Sequence, residues 1–157
     1  MSRAFVTEDA GVNAPEELPE RPISEERNFV TPRGLLLMDE ELQRLHTAYS
    51  AEQGKEDKTV LAQVMRDLKY WTARRASAEL IEPAANSGEV RFGHCVTLET
   101  EKGVRRFCIT GLDEADPAKG YLSYVSPIAR LMLGAKPGDV IELPQGEAEI
   151  TAIGVPD

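Results

Sequence analysis

The residues able to do chemistry are few and scattered. Cys95 and Cys108 are the only cysteines, His46 and His94 the only histidines, and no Cys-x-x-Cys pair occurs. A structural zinc needs about four such ligands gathered together, so the distribution argues against a metal site. In a reducing cytoplasm both thiols are expected to be free. Carboxylates offer more. Glu52, Glu56 and Asp57 share one polar stretch, and Asp113, Glu114 and Asp116 another. Clustered carboxylates are hard ligands suited to magnesium, though charged loops are as often simply solvated. Arg66, Lys69, Arg74 and Arg75 form a cationic set fit to touch RNA or an acidic protein wall; such runs are also commonly a solvated face. The letters Asp113-Glu-Ala-Asp116 are not a helicase signal, because no phosphate loop precedes them. No catalytic residue, resident metal or cofactor is assigned.

Two helical seams position the first carboxylates and the cationic set. Thr31 can cap a helix and Pro32 suits its first turn. Leu35, Met38, Leu42, Leu45 and Tyr49 then recur at steps of three and four, and the helix should fade over Glu52 to Gly54. After the polar tip, Thr59 is expected to cap a second helix with seam Leu61, Val64, Leu68, Trp71 and Ala78, Arg75 its one polar interruption, ending near Ile81 ahead of Pro83. Folding back as an antiparallel hairpin buries both seams. Arms of about 20 residues reach roughly 30 Å.

From Gly88 the period changes to two. Val96 and Leu98 alternate with polar neighbours, as do Phe107 and Ile109, around the turn Glu101-Lys102-Gly103. That loop sets Cys95 opposite Cys108 on one sheet face, with Val96 and Phe107 on the other. Tyr121 to Val125 reads as a strand. Ser126 and Pro127 start a short helix, Ile128 to Leu133, before two closing strands, Val140 to Leu143 and Glu147 to Ile153. The fold class is α+β: an N-terminal antiparallel helical hairpin (a short coiled coil) and a C-terminal antiparallel sheet with one short helix.

The division expected is a flexible acidic Pro-rich tail over residues 1–28, the hairpin over 29–83 and the sheet domain over 88–157. The tail carries Pro15, Pro19 and Pro22, which forbid helix, and Phe5-Val6 is its one apolar pair, a possible anchor onto a partner. Net charge is −9, from 27 acids and 18 bases. A globally acidic surface disfavours direct DNA binding and points to action through a protein partner. No apolar run approaches the roughly 20 residues of a membrane span, and no secretory signal is evident, so a cytoplasmic location is expected.

The stretch Tyr124-Val-Ser-Pro-Ile-Ala-Arg-Leu-Met-Leu-Gly-Ala-Lys-Pro-Gly-Asp-Val140 resembles the signature of the Gre transcript-cleavage factor family. Asp113 to Asp116 and Val90-Arg-Phe-Gly93 fall where that family carries similar motifs, and the resemblance covers about residues 29–157. It implies an FK506-binding-protein-like C-terminal domain docked at the rim of the RNA polymerase secondary channel, through Asp113, Glu114, Asp116, Ser126, Pro127 and Ile128. The hairpin would point down the channel. In the family, tip carboxylates help hold a catalytic magnesium so that polymerase cleaves backtracked RNA. The family's acidic tip, flanked by Gly-Asp-Leu and Glu-Asn-Ala-Glu-Tyr, is absent here, and the arms are shorter by two or more turns each. Two turns are on the order of 10 Å, whereas a bond to magnesium is roughly 2.1 Å, so Glu56 and Asp57 should stop short of the metal.

The expectation is a monomeric regulator that binds core polymerase, is not itself an enzyme and makes no sequence-specific DNA contact. DNA enters only at the level of the family, through the polymerase. Magnesium enters only indirectly, at the polymerase active site. Three alternatives stay open. The chain is a true cleavage-stimulating factor if the short arms dock more deeply. It is a proline isomerase if Phe92, Phe107, Tyr121 and Tyr124 line a pocket. It is an adaptor dimerising through its hairpin if Tyr70 and Trp71 are exposed on one side.

Overall fold

In a computed structural model of the chain, residues 17–157 are described; Phe5-Val6 lies outside them. Two compact units emerge. One comprises the described part of Met1–Glu26 with Met38–Ser77, the other Arg27–Leu37 with Ala78–Asp157.

Helices α1 (Pro32–Glu52) and α2 (Thr59–Ser77) supply the hairpin's arms. Their 21 and 19 residues span about 32 and 28 Å at 1.5 Å per residue. The antiparallel pairing is marked by Arg75, near the end of α2, whose Nε donates to Asp39, near the start of α1, at 2.8 Å. Met38 and Leu45 of α1 and Leu61, Ala62 and Val64 of α2 are buried, so the seams close on each other. Arg74 departs from the reading of a solvated cationic face: it is 2% exposed, among the most buried side chains of the molecule. Residues 17–26 also depart from the free arm expected there, because Glu20 and Arg21 bond to α2.

In the second unit, α2 gives way sooner than Pro83 requires. Strand β1 (Phe29–Val30) pairs in parallel with β2 (Glu79–Leu80), through Glu79 N–H to Asn28 O at 2.8 Å and Ile81 N–H to Val30 O at 2.9 Å. Arg27 reinforces the pairing by a two-pronged bond to Glu79, at 2.6 and 3.2 Å. Those long-range bonds replace the last helical turn expected from Ala78 to Ile81.

The main sheet has the order β5-β4-β3-β7-β6, with β3 Cys95–Thr100, β4 Gly103–Thr110, β5 Tyr121–Ser123, β6 Val140–Leu143 and β7 Gly146–Gly154. It is mixed, which corrects the expectation of a purely antiparallel sheet. The loop from Gly111, with a 3-10 turn at Pro117–Lys119, brings the chain back level with Cys108, so β5 joins parallel to the last three residues of β4. The register matches Cys95 to Cys108 and Val96 to Phe107, as the turn requires. The thiols are not free, however, as a reducing compartment led us to expect. Residues directly opposite on antiparallel strands share a face within bonding reach, and here they form a disulfide. On the other face Val96, Leu98, Phe107, Ile109 and Ile150 form the core, covered by Ala129 and Met132 of helix α3 (Pro127–Met132). His94 is buried as a structural residue, accepting from Arg91 N–H at Nδ1 (2.8 Å) and bonding Ala84 O through Nε2 (2.7 Å).

Candidate functional site

The hairpin tip is built by local bonds that occupy most of its charges. Glu52 pairs with Lys55 at 2.9 Å, one turn on, and Lys58 Nζ donates to Gln53 O at 2.8 Å. Asp57, rather than Thr59, closes the start of α2: its Oδ1 accepts the Thr59 amide at 2.9 Å. Bonds from the Thr59 side chain and amide hold the Asp57 carboxyl below the ordinary carboxylate range. Glu56 is exposed. The three carboxylates therefore do not converge, and no group of three or more potential metal ligands forms among the described residues.

The cationic set is similarly divided. Arg66 contacts its neighbour Asp67 at 3.3 Å, Lys69 pairs with Glu20, and Arg75 with Asp39. Arg74 cannot meet RNA or a channel wall from its buried position. Sequence reasoning missed Arg21, which nothing local singles out in its Pro-rich segment. It reaches Asp67 at 3.2 Å and lies over the rings of Tyr70 and Trp71, at 4.0 and 5.8 Å. Tyr70 and Trp71 meet edge to face at 5.2 Å, so the pair that suggested a dimerising adaptor already has a cationic cover.

The segment Asp113 to Asp116 splits between inside and outside. Glu114 is buried, which removes it from the surface set to which it was assigned. Its Oε1 accepts from the Thr31 hydroxyl at 2.6 Å and from Arg33 Nη1 at 3.2 Å, while Thr31 Oγ1 accepts the Gly34 amide at 3.0 Å. A carboxylate here meets the positive end of the α1 dipole. Its Oε2 is buried with no hydrogen-bond partner among the described residues. Glycine at 34 makes room for it, since a Cβ there would lie 2.4 Å from that oxygen. The Arg33 guanidinium in turn lies over Tyr121 at 3.9 Å. Asp113 and Asp116 remain half-exposed, with the Asp116 backbone bridged to Tyr121.

Ser126, Pro127 and Ile128 start α3 as capping rules require. Ser126 Oγ accepts the Ala129 amide at 3.4 Å and donates to Ser123 O at 2.7 Å. Pro127 is exposed, and Ile128 packs on the core. The four aromatics considered for a proline pocket serve separate contacts. Phe92 and Tyr124 cluster with Phe29 at 5.3–5.7 Å, Phe107 is in the core, and Tyr121 lies beneath Arg33.

A mixed sheet with a Ser-Pro-started helix laid across it matches a known domain. Residues 85–155 fit the family described as transcription elongation factor, GreA/GreB, C-term. Those residues are similar to a Gre-type C-terminal domain, and the match takes in somewhat under half of the chain. Transcription elongation factor GreA of Desulfovibrio desulfuricans is 39% identical over 93 residues, or 56% of this chain. That alignment spans 57% of the relative's own length. Transcription elongation factor GreB of Neisseria meningitidis serogroup B is 27% identical over 155 residues, covering 84% of this chain and 95% of the relative. Eighty-four per cent of 157 residues is about 132, so roughly 23 of those 155 aligned positions have no counterpart here. The crystal structure of GreA factor homolog 1 of Thermus thermophilus aligns with 82% of this chain and 99% of its own, at 21% identity and a TM-score of 0.39.

Proposed function

We propose that the chain is a cytoplasmic transcription elongation regulator that binds core RNA polymerase at its secondary channel without stimulating transcript cleavage efficiently. The Gre-type domain supplies the dock, with Asp113, Asp116, Ser126, Pro127 and Ile128 as its contact surface, and the hairpin supplies the probe. The chain is a monomer in this reading and not an enzyme; any magnesium is the polymerase's own.

The observation that carries the reading is the state of the tip. Cleavage stimulation asks a hairpin to deliver free carboxylates to a metal, and a carboxylate oxygen must come within roughly 2.1 Å to coordinate magnesium. Here Glu52 is held by Lys55, and Asp57 is committed to the start of α2. Arms of 21 and 19 residues, about 32 and 28 Å long, support a short reach.

Such a protein would occupy the channel and compete with cleavage-active factors. The exposed Glu56 favours the second reading, a working cleavage factor, because it alone of the three is left to coordinate. Retention of the full chain on immobilised core polymerase tests the docking. Retention that Pro127→Arg abolishes, with circular dichroism unchanged, is the expected result; no retention of the unsubstituted chain removes the proposal.

A further inference from the structure

The segment Glu17 to Glu26 and helix α2 carry opposite charge. The segment holds Glu17, Glu20, Glu25 and Glu26 against Arg21, a net of −3; with Arg74 buried, α2 shows Arg66, Lys69 and Arg75 against Asp67, a net of +2. The contact between them is narrow. Leu18 and Arg21 are the only half-buried residues of the segment, and Pro22 through Glu26 are exposed. A cleft of about 380 Å³ remains beside the contact, lined by Leu18 and Ile23 on one side and Met65 and Tyr70 on the other. Ile23 and Met65 stay 49% and 43% exposed, so apolar packing has not fused the segment to the helix. What holds it is Arg21, paired with Asp67 and laid over Tyr70 and Trp71, and Glu20, paired with Lys69. Exposed ion pairs and cation–π contacts are individually weak and screened by salt.

We infer that this segment is an autoinhibitory strap, an internal acidic stand-in that occupies the cationic and aromatic face of α2 and must lift before that face can receive an external anion. A face combining Lys69 and Arg66 with the rings of Tyr70 and Trp71 offers both phosphate pairing and stacking, the two elements of single-strand recognition. The inference deepens the proposed function, since an arm working inside a channel presents this face to its surroundings. It does not need polymerase for its test.

Trp71 is the only tryptophan, so its fluorescence reports the strap directly. The full chain and Arg21→Ala are compared by acrylamide quenching of Trp71 and by affinity for a short labelled single-stranded RNA, used as a polyanion probe. Arg21→Ala is expected to raise quenching and to tighten RNA binding about tenfold, the scale of the lost pair and stacking contact. Tightening despite loss of a positive charge excludes a simple charge effect. The double variant Arg21→Ala/Lys69→Ala should lose the gain. Unchanged quenching overturns the strap, and raised quenching with unchanged RNA affinity overturns the masking. Failure of the proposed function reads separately, as absence of the unsubstituted chain from immobilised polymerase.

Discussion

Gly34 and Glu114 lie 80 residues apart in sequence, yet they are expected to behave as one unit. Replacing a glycine inside a helix by alanine ordinarily stabilises by roughly 0.5–1 kcal/mol. At position 34 the new Cβ would lie 2.4 Å from Glu114 Oε2 and 3.0 Å from its Cδ. Glu114 cannot swing clear, because it is buried and its Oε1 is tied to Thr31 and Arg33. Overpacking of this kind costs about 1–3 kcal/mol, so Gly34→Ala should destabilise by roughly 1–2 kcal/mol net. In a Glu114→Ala background the obstructing oxygen is gone, and the same substitution should stabilise by about 0.5–1 kcal/mol. The coupling is therefore roughly 2–3 kcal/mol, at the upper end for residues in contact. Urea unfolding of the four proteins, followed by circular dichroism, measures each value as a shift in midpoint at constant slope. Gly34→Ala stabilising in both backgrounds, or destabilising in both, would refute the packing argument.

Three further outcomes follow from the same geometry. Reduction of the Cys95–Cys108 disulfide, or Cys95→Ala/Cys108→Ala, should lower the unfolding free energy by about 2–3 kcal/mol, as expected for so short a closed loop; alkylation before and after reduction, read by mass, checks that both thiols start bonded. Ser126→Ala removes the α3 cap and should cost about 1 kcal/mol in urea unfolding, which sets the structural baseline for any loss of polymerase binding. Hydrogen bonds from Arg44, Thr59 and Arg27 hold Glu41, Asp57 and Glu79, respectively, below the ordinary carboxylate range. Lowered carboxyl values contribute stability that is present above that range and is lost as pH falls through the folded values. Urea midpoints should therefore drop below about pH 4, and Asp57→Asn should flatten part of that dependence.

Local signals were legible in the sequence, and long-range ones were not. The three-and-four spacing of Met38, Leu42 and Leu45 gave the first arm, and the turn at Glu101 to Gly103 gave the register from Cys95 to Cys108. Ser126-Pro127 announced α3 because a cap and a first-turn proline act within four residues. Nothing adjacent to Glu79 reveals that it will meet Arg27 and pull the chain from helix into a parallel pair, since the partner is 52 residues away. Arg74 was misread for a related reason: charge alone suggests solvent, while its place on the seam of α2 puts it inside. Of the tip residues, Glu52 ends α1 and Glu56 and Asp57 lie in the turn beyond it, and the bonds that occupy Glu52 and Asp57 depend on rotamers that spacing does not specify. Glu114 looked like its neighbours Asp113 and Asp116, and only the fold turns it toward the start of α1.

The central claim is that this hairpin does not bring a working carboxylate to the polymerase metal. Backtracked elongation complexes with end-labelled RNA, incubated with a saturating amount of the full chain, test it most directly. Release of short RNA fragments should be no faster than with polymerase alone, and a cleavage-active factor added afterwards should be slowed by competition. Rapid release that Glu56→Ala abolishes would contradict the claim and make this chain a cleavage factor in its own right.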